Sequence, residues 1–393
     1  MEVGNARRRA FALDRMGLVT HSRRKALLVS GIYPPDVGGP AFFVPRLRRH
    51  LLQGNWDVRV VALAAESAST KQDVRLVGRG TSRLLRRWRL AKALWQESRG
   101  LDVIFANGLH VEVAAIAAIR SVPWVAKVVG EPIWERASAQ RITSQTPAEF
   151  HEDLRRFSAR VERWVWVRAL ERAAAVIVPS HAVHLLLRQI GCTSPISVVP
   201  NGVPQRSRHG ELSERDFDLI TVSRLVPLKR VDRLLKAADR LGLRLCVVGG
   251  GPGEAELRYE ASQMTPPASV FFTGQVCEDQ VDDFLDRSRV FCLLSDHEGL
   301  SFALLRAKAA GLPAVVTDVP GNRMAVREGV DGYLVRPGKD DELDRAIGAL
   351  VGDPKKMQEF GAAAFDDVQL RFSLQGTLEK TEAELEAAIG SEE

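Results

Sequence analysis

The most informative run of residues is Ser295-Asp296-His297-Glu298-Gly299-Leu300-Ser301-Phe302-Ala303-Leu304-Leu305-Arg306-Ala307-Lys308-Ala309-Ala310-Gly311-Leu312-Pro313. A short apolar pattern ends at Leu294. A helical pattern opens near Ser301 and stops at Gly311, a residue suited to a helix C-terminus. Glu298 lies in the loop between them, where its carboxylate can accept hydrogen bonds from sugar hydroxyls. The amides of Gly299, Leu300 and Ser301 stand where the helix begins and can point at a diphosphate. A second run, Ser223-Arg224-Leu225-Val226-Pro227-Leu228-Lys229-Arg230, also follows a strand pattern. A nucleoside diphosphate leaving group carries roughly two to three negative charges, which Arg224 and Lys229 could neutralise. Read alone, this run is equally a solvated basic loop.

Two glycine-bearing loops join them. In Tyr33-Pro34-Pro35-Asp36-Val37-Gly38-Gly39-Pro40, Gly38 and Gly39 let backbone amides approach a ligand. A helix starting near Ala41 offers its N-terminus to an anion, although a plain strand-to-helix turn fits the same residues. Gly249-Gly250-Gly251-Pro252-Gly253 has neither the spacing of a dinucleotide fingerprint nor the Lys of a P-loop. It is a weak signal for a tight turn beside a nucleotide, with Gly250 as its donor-binding candidate.

These loops need a scaffold, and the alternation of patterns supplies one. Strand candidates Ala26–Ser30, Asp57–Leu63, Val103–Asn107, Val125–Val129, Ala174–Pro179 and Ile196–Pro200 alternate with helical spacing. A second series follows at Phe217–Ser223, Leu243–Gly249, Val270–Gly274, Val290–Leu294, Ala314–Asp318 and Gly332–Val335. Repeated strand–helix–strand units imply parallel sheets covered on both faces. The fold class is therefore α/β, with two Rossmann-like, doubly wound domains. Expected divisions are a basic tail at 1–24, an N-terminal acceptor-side domain at 25–203, a donor-nucleotide domain at 204–372 and a C-terminal helix at 373–393 that crosses back to the first domain. Turn residues Pro200, Asn201, Gly202, Pro204, Ser207 and Gly210 mark the join near Val199–Glu214. Ligands bind beyond the carboxyl ends of parallel strands, so two facing domains place one site in a central cleft that can close on a hydrolysable donor.

Composition excludes several classes. The chain has 393 residues, 45% hydrophobic and 26% charged, which suits two soluble globular domains. Lys plus Arg number 55 against 49 Asp plus Glu, a formal charge of +6. That excess suits an anionic ligand and is too small to argue for nucleic acid. Cys192, Cys246, Cys277 and Cys292 form no C-x-x-C pair, so reduced thiols and a cytoplasmic location are expected. Arg7, Arg8, Arg9, Arg15, Arg23 and Arg24 interrupt the N-terminal residues, which lack the apolar core of a secretory signal. No uninterrupted apolar stretch is long enough to span a bilayer. Arg83–Trp95 reads as a basic helix with Leu84, Leu85, Trp88, Ala91 and Trp95 on one face. Such a helix suits peripheral contact with the inner face of an anionic membrane, or packing on the sheet with a solvated cationic face.

Taken in order, these motifs resemble the retaining family 4 glycosyltransferases of the GT-B fold. The resemblance runs from about Lys25 to Phe372 and is also carried by Pro179-Ser180, Pro200-Asn201-Gly202-Val203, Phe272-Thr273-Gly274 and Pro320-Gly321-Asn322. It implies transfer of a sugar, with retained anomeric configuration, from a nucleotide-diphosphate sugar to an acceptor hydroxyl on a glycan, lipid-linked or natural-product acceptor. The nucleotide sugar would be a co-substrate, with no permanently bound cofactor and no metal. By that resemblance Glu298 contacts the donor sugar, Arg224 and Lys229 hold the diphosphate, and Gly38 and Gly39 close over the phosphates. Gln275 and Val276 would flank the base.

Two positions depart from the family pattern. Arg306 stands where a second Glu normally accepts bonds from the ribose hydroxyls, and Arg has five donors and no acceptor. It would pair with another phosphate or a carboxylated donor, donate to ribose oxygens, or mark a non-catalytic sugar-nucleotide or glycan-binding subunit. Lys308 adds a cation that a solvent-facing position would explain. Glu131, in Lys127-Val128-Val129-Gly130-Glu131-Pro132-Ile133-Trp134-Glu135, stands near where many relatives have a His. It would orient or deprotonate the acceptor, or pair with Lys127 or Arg136. Asn107 and His110 are the remaining acceptor-side candidates, with an interior, structural His110 as the competing reading.

Overall fold

A computed structural model describes residues 23–390, apart from 66–72, 81, 141, 144, 155–156, 208–210, 213–214 and 267. The basic tail expected at 1–24 falls almost entirely outside the described residues. Its last member does not belong to a tail: Arg24 opens the first strand.

The strands are β1 (Arg24–Ser30), β2 (Trp56–Ala64), β3 (Val74–Gly78), β4 (Val103–Asn107), β5 (Trp124–Lys127), β6 (Ala175–Val178), β7 (Ile196–Val198), β8 (Phe217–Val222), β9 (Arg244–Val248), β10 (Ser269–Gly274), β11 (Ser288–Leu293), β12 (Ala314–Thr317) and β13 (Gly332–Val335). They form two sheets, ordered β3-β2-β1-β4-β5-β6-β7 and β10-β9-β8-β11-β12-β13. Neighbours in both sheets pair in parallel. The order reverses beside β1 in one sheet and beside β8 in the other, which places a switch point at the carboxyl end of each.

The first domain carries helices α1 (Gly39–Gln53), α2 (Arg83–Glu97), α3 (His110–Arg120), α4 (Pro132–Ala139), α5 (Pro147–Glu152), α6 (Phe157–Leu170) and α7 (His181–Gln189). The second carries α8 (Val231–Leu241), α9 (Glu254–Ala261), α10 (Glu278–Asp286), α11 (Phe302–Ala309), α12 (Pro320–Ala325), α13 (Asp340–Val351) and α14 (Pro354–Arg371), and α15 (Leu374–Gly390) ends the described chain. Both faces of each sheet are buried, which is why the strands read as near-continuous apolar runs. One face of the first sheet packs Leu27, Ile104 and Val176 against α2, α3 and α6; the other packs Leu28, Phe105 and Ile177. Leu378, Leu385 and Ala388 of α15 join that second face, so the last helix docks on the first domain.

The two chain crossings between domains lie side by side. Val203 N–H donates to Phe372 O at 2.9 Å, and Leu374 N–H donates to Val203 O at 2.9 Å. Gly202 is required there, because a Cβ would overlap Ser373 O and Thr377 Oγ1. The crossings act as one narrow tether beside the gap between the sheets' carboxyl ends. No helix among the described residues is long and apolar enough to cross a membrane. In α2, Leu90, Ala93 and Leu94 face inward while Leu84, Leu85, Trp88 and Trp95 are exposed.

Candidate active site

The loop after β8 carries Arg224 and Lys229, and the glycine loop after β9 shapes it. Leu225 N–H donates to Gly250 O and Gly253 N–H to Leu225 O, each at 3.0 Å. Gly249 adopts φ 124°, and a Cβ there would overlap Ser223 O. The glycines thus admit the Arg224 loop at backbone distance. On its other side, Gly250 lies against Gln275, whose N would stand 3.5 Å from an added Cβ. Lys229 closes a short 3₁₀ turn, Pro227–Lys229, ended by Arg230 in the left-handed region at φ 49°.

The loop after β11 carries Glu298. Asp296 N–H donates to Leu228 O at 3.0 Å, tying it to the Lys229 turn. Lys229 Nζ then lies 2.6 Å from Glu298 Oε1, with only about a tenth of the Glu298 side chain exposed. Gly299 and Gly321 have no room for a side chain: a Cβ on the first would crowd Val129 O, and on the second Glu298 O. Ser301 caps α11, its Oγ accepting from Leu304 N–H at 3.3 Å. Leu300 is buried, and its carbonyl accepts from Asn201 Nδ2 at 2.9 Å.

The first domain closes over this arrangement. Gly39 lies against the Phe302 ring, 3.2 Å from an added Cβ. The Phe42 and Phe302 rings meet at 4.9 Å between centroids. Gly38, at φ 151°, lies against Ile32. Arg46 of α1 forms an ion pair with Glu278 of α10, and Trp134 of α4 meets His297 edge-on at 4.9 Å. The carboxyl ends of both sheets therefore face one cleft. Burial holds the His297 imidazole below its ordinary value, with Glu298 pulling it up and Lys229 pushing it down.

One cation here went unassigned in the sequence. Arg79 follows β3 and pairs with Asp36 of the Gly38-Gly39 loop. Burial, and then the like charges of Arg224 and Arg86, push its guanidinium below the usual value. Arg79, Arg224 and Lys229 thus gather at the cleft, Arg79 paired with Asp36 and Lys229 with Glu298, cations that an incoming polyanion could recruit. The signal for Arg79 was its place after a strand that sequence periodicity did not reveal.

The profile described as Glycosyltransferase Family 4 matches residues 37–206, and that described as Glycosyl transferases group 1 matches 204–367. A GDP-mannose-dependent alpha-(1-6)-phosphatidylinositol monomannoside mannosyltransferase of Mycolicibacterium smegmatis is 30% identical over 270 residues, 61% of this chain and 69% of that protein. The chain belongs to the family 4 glycosyltransferases. An exopolysaccharide phosphotransferase of Streptomyces coelicolor is also 30% identical, over 51% of this chain but only 22% of its own length. The matches likewise span less than two thirds of several other curated relatives. Two solved structures show the same GT-B fold at low identity. The sucrose-phosphate synthase of Thermosynechococcus elongatus superposes with a TM-score of 0.73 at 16% identity, covering 92% of this chain and 98% of that one. Anabaena HepE, in complex with UDP-glucose, gives a TM-score of 0.73 at 18% identity over 92% of this chain and 99% of its own.

In this glycosyltransferase the remaining candidates separate into cleft and interior. Asn107 is buried at the end of β4, its carbonyl accepting from Gly31 N–H at 3.2 Å. His110 lies inside the first domain. Trp166 Nε1–H donates to its Nδ1 at 3.1 Å, which leaves Nε2–H to donate to Lys127 O at 3.1 Å. Burial lowers its pKa to about 4, so the ring is neutral. Glu131 is also turned inward. Its carboxylate caps α4 by accepting from Ile133 and Trp134 amides, and His151 Nε2 stands 3.1 Å from Oε2. It pairs with neither cation proposed from sequence, since Arg136 reaches Glu162 and Lys127 Nζ has no hydrogen-bond partner. One helical turn on, Glu135 opens to the cleft instead.

Arg306 faces α10. It binds Asp282 at 2.8 Å and donates to Glu278 O at 2.7 Å. Arg206 grips the same Asp282 at 3.0 Å. Lys308 corrects an expectation: it is fully buried rather than solvent-facing. It bonds Asp367 at 2.6 Å and Asp331 at 3.3 Å. The helix α11 packs on α14, and the face carrying Lys308 is the one covered.

Proposed function

We propose that this chain transfers a sugar from a nucleoside-diphosphate sugar to an acceptor hydroxyl, with retained anomeric configuration and without a metal. The observation that carries the proposal is the Lys229–Glu298 pair, fixed at 2.6 Å between two strand-end loops that face the first domain. On binding, the pyrophosphate would take Lys229 together with Arg224 and the amides that open α11. Glu298 would then be free to hold sugar hydroxyls. The first domain supplies the acceptor side and excludes water by closing through Phe42, Arg46 and Trp134. The protein's contribution is orientation and stabilisation of leaving-group charge.

Arg306 fits an active enzyme, because its ion pair with Asp282 and its bond to the Glu278 carbonyl account for it without a lost site. Relatives that use GDP-mannose or bind UDP-glucose make both bases reasonable donors to try. Leu84, Trp88 and Trp95 are exposed beside the cations of α2, a surface that would suit peripheral contact with an anionic membrane. Sedimentation with anionic vesicles at low salt tests that part.

The experiment for the main reading is incubation of the purified chain with UDP- and GDP-sugars and a panel of hydroxyl acceptors. Product would be followed by NMR, where the H1–H2 coupling of gluco-type products, or the one-bond C1–H1 coupling of manno-type products, reports the anomeric configuration. Release of nucleoside diphosphate with no change of anomeric configuration is the expected result. No release from any donor, or an inverted product, would oppose it.

A further inference from the structure

Glu135 is a carboxylate of the first domain that the account above leaves unused. It lies in the first turn of α4, the helix that packs against the Pro227–Lys229 turn. Its neighbour Trp134 meets His297 edge-on, so α4 is fixed against the loop that presents Glu298. The carboxyl folds back over Gly130, where a Cβ would overlap Oε1. Unlike Glu131, which is 2% exposed, Glu135 is open to the cleft.

The charges around it are defined. Glu131 precedes it, spent on helix-capping amides and on His151. Glu298 and Lys229 face it from the second domain, and His297 lies beside them. Arg136, next in sequence, turns away to Glu162. Crowding by protein, and then the negative charge of Glu131, raises Glu135 to about 7; Lys229 opposes and Glu298 adds to the shift.

We propose that Glu135 is the catalytic base of the acceptor side, receiving the proton of the attacking hydroxyl. The inference rests on the transfer reaction proposed above. In the step, the acceptor oxygen forms a bond to the anomeric carbon. The bond from that carbon to the pyrophosphate oxygen breaks, and its electron pair leaves with the nucleoside diphosphate. The acceptor proton passes to a Glu135 carboxylate oxygen and from there to solvent. A base that titrates near neutral pH is matched to this task. Gly130 keeps the space in which the carboxylate turns toward the cleft.

The test compares the parent with Glu135→Gln, Glu135→Asp and Gly130→Ala. Glu135→Gln is expected to slow transfer about 100-fold while nucleotide-sugar affinity by calorimetry stays within twofold. The acidic limb of the parent's kcat/KM profile should disappear with it. Glu135→Asp should recover part of the rate and keep the limb. Gly130→Ala should slow transfer with Glu135 still present, by displacing its carboxyl. Transfer within threefold of the parent in Glu135→Gln, or a loss of donor affinity as large as the loss of rate, overturns the assignment. A parent that transfers from no donor overturns the proposed function as well, so the two failures read differently.

Discussion

Lys229 Nζ and Glu298 Oε1 lie 2.6 Å apart, bridging the loops that follow β8 and β11. Each group neutralises the other until a ligand separates them. The pair ties the two loops together, and in the proposed reaction it would supply both a cation for the leaving group and an acceptor for the sugar. Lys229→Ala and Glu298→Gln are each expected to lower kcat/KM by roughly 10²–10³-fold. Steady-state kinetics would show this, and because only about a tenth of the Glu298 side chain is exposed, Lys229→Ala is also expected to lower the thermal midpoint.

Arg306 is a structural cation in this account. Arg306→Glu would set a carboxylate beside Asp282 and the start of α10, where the arginine now pairs at 2.8 Å. The expected result is a lower melting temperature and weaker donor binding. Turnover created by Arg306→Glu in a parent that has none would instead indicate a degenerate site.

Lys308 holds the second domain together. Its ammonium is buried with Asp331 and Asp367, which Arg327 and Arg371 also engage. Lys308→Ala leaves buried carboxylates short of a partner and should cost about 3–5 kcal/mol. Chemical denaturation measures it, and a loss below about 1 kcal/mol would contradict the role.

Two buried bases make stability depend on pH. His110 is depressed from 6.5 to about 4. Between those values the unfolded chain binds more protons, so stability present above pH 6.5 is lost as pH falls to 4. The loss is on the order of 3 kcal/mol. Lys127, which burial lowers from 10.5 to about 7, acts in the same sense: stability rises with pH across that window. Its Nζ has no hydrogen-bond partner and lies 4.4 Å from the Phe43 ring centroid. Lys127→Met should stabilise the chain at pH 7 by on the order of 2 kcal/mol, the gain shrinking toward pH 10.5. Denaturation midpoints across pH check both slopes.

Much of the fold was legible because parallel strands buried on both faces leave apolar runs such as Leu219-Ile220 and Val315-Val316. β3 was not, since as an edge strand it is half-exposed and its Arg75 breaks the run. With β3 hidden, the position of Arg79 was hidden too. The glycine loop looked like a ligand cradle; much of its steric demand comes from the Ser223–Leu225 backbone. Motif position put Glu131 near the reacting centre, but side-chain direction decides there. The Pro132 helix start turns Glu131 into a cap and leaves Glu135, one turn later, toward the cleft. Lys308 was misjudged because sequence spacing could not reveal that α14 covers that face of α11.

The most direct measurement is calorimetric titration of a nucleoside diphosphate into the parent, Arg224→Ala and Lys229→Ala. Charge capture in the interdomain gap predicts saturable binding by the parent and at least tenfold weaker binding by each variant, without loss of folding. Equal affinity in all three, with the fold intact, would contradict it.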